Sequence, residues 1–177
     1  MSVGRSVLAL LHSQAQDPVK LLRAASAQLG NKVGVMSSFG AESALLLAFV
    51  AEADPEMPVL FLETGEHFPE TLAYRADLAR FLGLRNVIDI HPEAHEVQER
   101  DPTGELWAFD PDACCRLRKV EPLDAATLPY EALVTGRKRS QASTRAALPV
   151  VEEKPDGQLR LSPLALWQTE DITREMA

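Results

Sequence analysis

The chain has 177 residues, 46% hydrophobic and 25% charged, a length and balance that fit one soluble globular domain with one core. No apolar run reaches the roughly 18 residues needed to span a bilayer, and a net charge of −8 argues against nonspecific binding to nucleic acid. Two cysteines cannot build a disulfide framework, which points to a reducing, cytoplasmic setting.

In chain order, residues 7–11 and 19–29 read as helices. Leu21, Leu22, Ala25 and Leu29 recur at helical spacing, and Gly30-Asn31 stops the run. The first of these helices packs rather than serving as a signal peptide, because His12 and Gln14 interrupt its apolar patch. Residues 32–36 suit a short buried strand. The polar turn SSFGAES and the apolar run 44–50 follow at once. A strand, a glycine turn and a helix in succession place backbone N–H groups where an anion is favoured by hydrogen bonds and by the helix dipole. The turn matches neither G-x-G-x-x-G nor G-x-x-x-x-G-K-[ST], which excludes the common dinucleotide and Walker-type sites.

Residues 59–62 form a second strand that runs into ETGEHFPET. A helix follows from Pro69 to Leu82, with Pro suited to its first turn and Gly83 to its left-handed stop. Residues 87–90 are a third strand. Residues 91–112 hold three prolines, two acidic clusters and few apolar side chains, and read as a long excursion of the kind that forms lids. His91 and His95 lie four apart, but Pro92 between them and the lack of a clear third ligand favour surface histidines. Residues 133–135 are a fourth strand that delivers Gly136-Arg137-Lys138-Arg139-Ser140-Gln141. Residues 150–154 and 158–162 flank Pro155-Asp156-Gly157 as a hairpin.

Cys114 and Cys115 stand side by side at the start of a helix, with Arg116, Arg118 and Lys119 behind them. Adjacent cysteines rarely bond to each other. Nearby cations favour the thiolate, the form that attacks electrophiles and binds metal; two small buried hydrophobes with a solvated basic face would look the same. Seven basic residues between Cys114 and Arg145 face three acids, so this stretch is net +4 in a chain whose remainder is −12. Strands alternating with helices imply a parallel twisted α/β sheet covered on both faces, with ligands beyond the carboxyl ends of the strands. Three polar turns, 37–43, 63–71 and 136–145, then open on one edge and form an anion-binding crevice beside two thiols.

With these turns in place, the chain resembles the assimilatory adenylyl-sulfate or phosphoadenylyl-sulfate reductases, a family with the adenine nucleotide α-hydrolase-like, Rossmann-like fold. Ser38-Phe39-Gly40-Ala41-Glu42-Ser43 resembles S-F-G-x-E-[DS], and residues 63–71 resemble D-T-G-x-x-F-P-E-T with Glu63 for Asp. Residues 114–123 resemble C-C-x-x-R-K-x-x-P-L. Residues 135–145 resemble T-G-x-R-R-x-Q-[SA]-x-[ST]-R, with Lys138 for the first arginine of the pair. Ser162-Pro163-Leu164 with Trp167 resembles N-P-L-x-x-W. The likeness runs from about Lys20 to Asp171.

The resemblance implies reduction of adenosine 5′-phosphosulfate, or its 3′-phosphorylated form, to sulfite in sulfate assimilation. A thiolate attacks sulfur, AMP or its 3′-phosphate leaves, and thioredoxin or glutaredoxin releases sulfite from the S-sulfocysteine. By resemblance, Ser37, Ser38, Phe39, Gly40, Ala41, Glu42, Thr64 and Gly65 hold the adenosine side. Lys119, Arg137, Arg139 and Arg145 face the phosphosulfate, with Gly136 and Gln141 in the same substrate-binding turn. Fixed cations there stabilise the charge that develops on the leaving group.

The paired cysteines mark the subfamily with a [4Fe–4S] cluster, for which Cys114 and Cys115 supply two of four ligands. The family's second cysteine pair and its C-terminal catalytic cysteine have no counterpart in these 177 residues. The expectation is therefore a single reductase-like domain, 1–177, cut short at its C-terminus. Two rivals stay open: an ATP-using adenylyltransferase or pyrophosphatase of the same superfamily, and a non-catalytic nucleotide-binding remnant or subunit. The sequence leaves open a homo-oligomer and the 3′-phosphate preference.

Overall fold

The structure, a computed structural model, describes residues 3–139 and 147–176. Six strands form one sheet: β1 (Val33–Met36), β2 (Val59–Leu62), β3 (Val87–Ile90), β4 (Ala132–Thr135), β5 (Val151–Glu153) and β6 (Leu159–Leu161). Their spatial order is β3-β2-β1-β4-β6-β5. The first four strands and β6 run parallel, with Met36 level with both Leu60 and Thr135. The expected all-parallel sheet holds except at one edge, where β5 is antiparallel to β6. The cause is local. Gly157 adopts φ +86° and Pro155-Asp156-Gly157 turns the chain back within a few residues, too short for the crossover that a parallel neighbour requires.

Helices cover both faces. On one, α1 (Arg5–Ser13), α2 (Pro18–Leu29) and α3 (Ala44–Ala53) lay Leu11, Leu21, Leu22, Ala25 and the α3 leucines against Val33, Val35, Val59 and Val134, all buried. Asp17 starts α2 by accepting a bond from the Lys20 N–H at 3.0 Å, with Pro18 at the first helical position. Below them α4 (Pro69–Leu82) ends on Gly83, whose φ of +73° lets its N–H reach the Ala79 and Arg80 carbonyls. On the opposite face α8 (Glu121–Thr127) packs Leu123 and Ala126 on Leu60, Ile90 and Leu133.

The excursion after β3 is more ordered than its composition implies. It contains α5 (Ala94–Arg100) and α6 (Leu106–Phe109), and His91 and His95 face solvent on it. Next comes α7 (Pro111–Cys115), joined to α8 by a single π-type turn over Arg116–Val120. Pro122, in the first turn of α8, explains that turn: it has no N–H to continue the α ladder, so the ladder slips by one residue. The last helix, α9 (Thr169–Glu175), is capped by Gln168 and Asp171. Among the described residues no helix is long and apolar enough to cross a membrane.

Candidate active site

Parallel pairing brings the three polar turns to one edge, because each leaves the carboxyl end of β1, β2 or β4. The serine turn after β1 is held from beneath. Phe39 sits at φ +54°, a left-handed conformation that costs a bulky residue about 1–2 kcal/mol. Its ring is only 1% exposed and meets Phe61 edge-on at 5.7 Å, a burial that offsets the strain. The Phe39 N–H donates to Ser37 Oγ at 3.1 Å, so Ser37 is buried and bracing the turn. Any contact from Phe39 to a ligand therefore runs through its backbone.

A short 3₁₀ turn, Ala41–Ser43, leads into α3. Above it lies a cavity of about 410 Å³ lined by Met36, Ser38, Gly40, Ala41, Ser43, Gly136 and Arg137. The expected adenosine-side residues Ser38, Gly40 and Ala41 thus meet Gly136 and Arg137 of the third turn. The Glu42 side chain, Gln141 and Arg145 lie outside the described residues.

The second turn belongs to a different cavity. Thr64, Glu66 and His67 line a cleft of about 490 Å³ with Trp107, Pro111, Cys114, Cys115, Arg118 and Lys119. Glu63, where the family pattern has Asp, accepts the Gly65 N–H at 2.8 Å and closes its own turn. Gly65 has φ +82°, a left-handed conformation that calls for glycine, whereas a Cβ there would meet Arg118 Nη1 at an ordinary contact distance of 3.4 Å. The two cavities lie on neighbouring strand ends rather than forming the single crevice expected from the turns.

The cysteines are placed by capping and by the π turn. Asp110 accepts the Ala113 N–H at 3.0 Å and Pro111 opens α7, which fixes Cys114 half-buried and Cys115 exposed, both as free thiols. One turn on, the π geometry separates two consecutive cations: Arg118 turns inward and Lys119 stays exposed on the cleft. The Arg118 side chain is 8% exposed and the Asp101 side chain 1%. Arg118 donates to Asp101 Oδ2 at 2.7 Å from Nη2 and 3.3 Å from Nε, to the Thr64 carbonyl at 2.9 Å, and lies 3.1 Å from Glu66. Asp101 also accepts the Leu106 N–H. The Arg118 hydrogen bond holds the Asp101 carboxyl below its ordinary range, aided by that N–H against the effect of burial. Arg118 therefore ties together the segment after β3, the second turn and the cysteine helix, and is not a free ligand cation.

The basic island is only partly at the site. Arg137 is half-buried, with Nε on Thr135 Oγ1 at 3.3 Å. Lys138 is buried, and Arg139 spends its Nε on the Leu148 carbonyl at 2.8 Å, which ties the third turn to the segment before β5. Thr135 and Ser162 hydroxyls meet at 3.3 Å, so the T-G motif and the S-P-L motif are joined beneath the site, and Trp167 packs on Phe49. Sequence reasoning missed Asp101, Glu66, His67 and Trp107. Asp101 looked like one more acid in a polar loop, and its only signal was the absence of an anion to match Arg118.

For metal, the two thiols are half of what a [4Fe–4S] cluster needs. Among the described residues no group of three or more His, Cys, Asp or Glu could hold an ion. Within this chain the fit is incomplete.

The adenosine 5′-phosphosulfate reductase of Chelativorans sp. (strain BNC1) is 50% identical over 139 residues, 78% of this chain and 56% of its own length. That of Mesorhizobium japonicum is 48% identical over 155 residues, 87% of this chain and 61% of its own length. The chain thus spans less than two thirds of either relative. A crystal structure of phosphoadenylyl-sulfate reductase from Candida auris, a phosphate complex, superposes with a TM-score of 0.78 at 24% identity, covering 99% of this chain and 87% of that one, a likeness of fold. Residues 32–175 match the phosphoadenosine phosphosulfate reductase domain, and the chain belongs to that family.

Proposed function

We propose that this chain carries the substrate-binding part of a thioredoxin-dependent adenylyl-sulfate reductase of sulfate assimilation, acting in the cytoplasm. The observation that carries the reading is Lys119: an exposed cation on the π turn, in one cleft with Cys114 and Cys115, on the sheet edge that also presents the serine turn. Ser38, Gly40, Ala41 and Gly136 hold the adenosine phosphate side, and Lys119 and Arg137 face the sulfonate. As the sulfur–oxygen bond breaks, its electron pair goes to the AMP oxygen, and cations fixed there lower the barrier. Gln141 and Arg145 extend the same turn in this reading.

The attacking thiolate is not Cys114 or Cys115, which would serve as two ligands of a [4Fe–4S] cluster whose other ligands lie outside these 177 residues. Thioredoxin or glutaredoxin supplies the dithiol that releases sulfite. The paired cysteines favour the substrate without a 3′-phosphate.

The test is the protein purified from its native cell, assayed with adenosine 5′-phosphosulfate, thioredoxin and a thiol. Stoichiometric sulfite and AMP are expected. Pyrophosphate released from ATP, with no sulfite, would assign the chain to an adenylyltransferase-type reaction instead.

A further inference from the structure

The sheet face that α8 covers changes character toward β5. Leu133 of β4 is level with Arg160 of β6, and Arg160 is level with Glu152 of β5, so a buried leucine gives way to an ion-bearing surface along one row. Here lies a third cavity, about 410 Å³, lined by Met36, Thr135, Arg137, Lys154 and Arg160. It shares Met36 and Arg137 with the serine-turn cavity.

Its charges do not balance. Glu152 is the carboxylate within reach of the lining cations: Oε1 takes Lys154 Nζ at 3.3 Å and Oε2 lies 3.9 Å from Arg137 Nη2. Among the described residues Arg160 has only neutral acceptors, Met36 Sδ at 3.6 Å and Gln158 Oε1 at 3.5 Å, both at the limit of hydrogen bonding. Its Nε is buried with no hydrogen-bond partner among the described residues. Burial lowers the Arg160 pKa and the Arg137 charge adds to it, while Glu152 and Asp156 pull the other way. A guanidinium with such weak partners is poorly compensated, and an anion set among the three cations would add charge-assisted bonds that Met36 and Gln158 do not supply. Arg137 and Lys154 side chains are 36% and 38% exposed, so the cavity is reached from solvent.

We propose that Arg137, Lys154 and Arg160 form a second oxyanion subsite, for a tetrahedral dianion of the phosphate or sulfate class, adjoining the serine turn. Three converging cations with up to five donors on each guanidinium suit a tetrahedral group that accepts on several oxygens. The assignment stands on this cavity and does not require the reductase reading. The dianion is either the charged end of a bound nucleotide, reaching past Arg137, or a free inorganic ion.

The experiment is calorimetric titration of the chain with inorganic phosphate at low ionic strength. Wild type, Arg160→Gln, Lys154→Gln and the control Lys20→Gln are compared, with thermal unfolding as the check on folding. Phosphate affinity is expected to fall about tenfold or more in Arg160→Gln and severalfold in Lys154→Gln, and to be unchanged in Lys20→Gln, an exposed lysine of α2 far from the cavity. Repeating the titration with adenosine 5′-phosphosulfate saturating separates the sources. Loss of the phosphate signal makes the nucleotide's own anionic end the occupant, and a persisting signal makes it a free ion. No phosphate binding by wild type, or equal affinity in folded Arg160→Gln and Lys154→Gln, overturns the proposal. Lys154 is partly exposed, so its variant decides the matter if Arg160→Gln does not fold.

Discussion

Two arginines in this molecule, one buried and one half-buried, show what pairing does to a cation. Arg118, in the cysteine cleft, meets two carboxylates and a backbone carbonyl. Arg160, beside the serine turn, meets a thioether and an amide oxygen and leaves one donor unmatched. The first is saturated, and its consequence is architectural: it holds the segment after β3, the second turn and the cysteine helix in register while its neighbour Lys119 stays exposed. The second is unsaturated, and its consequence is an affinity for anions. The same side chain serves as scaffold in one region and as receptor in the other.

The largest effect should come from breaking the saturated pair. Asp101→Ala leaves Arg118 buried without its main partner and is expected to cost about 3 kcal/mol in urea unfolding, whereas Arg160→Gln should change stability by less than about 0.5 kcal/mol. Equal losses would erase the distinction. Next is Lys119→Ala, which should weaken adenosine 5′-phosphosulfate binding more than tenfold with the unfolding midpoint unchanged, because Lys119 is exposed and its neighbour carries the architecture.

Acid sharpens the contrast further. Asp101 is held below its ordinary pKa of 3.8 in the folded protein. A carboxyl depressed on folding contributes its full stability above the unfolded pKa and loses it as pH falls through the folded value. Wild type should therefore lose stability below about pH 4 more steeply than Asp101→Asn, as followed by circular dichroism. The smallest effect is that of salt. Raising ionic strength should weaken phosphate binding at Arg160 and Lys154 severalfold, yet barely move the stability difference between wild type and Asp101→Ala, because screening acts on solvent-reached charges and little on buried ones.

Much of this was legible in the sequence. The strands at 33–36, 59–62 and 87–90 declared themselves as short apolar runs between punctuating residues, and the Pro155-Asp156-Gly157 turn announced the hairpin. The turns could be placed on one edge because parallel strands leave no other choice. What stayed hidden depends on partners far apart in the chain. The Arg118–Asp101 pair is 17 positions apart, across α6 and α7, and nothing local says that the first of two consecutive cations turns inward. The left-handed Phe39 gave no signal either, since positive φ is normally read from glycine or asparagine, and here a buried ring makes it tolerable. Arg160 read as one more residue on a hairpin strand. Only the cross-strand order, β4 beside β6, sets it next to Arg137.

The central claim is that this chain binds a nucleotide phosphosulfate along the sheet edge that carries both the serine turn and Lys119. Calorimetric titration with adenosine 5′-phosphosulfate, run in parallel with ATP, tests it most directly. The account predicts saturable binding of adenosine 5′-phosphosulfate, tighter than ATP, and more than tenfold weaker in Lys119→Ala. Preference for ATP, or equal affinity in wild type and a folded Lys119→Ala, would contradict it.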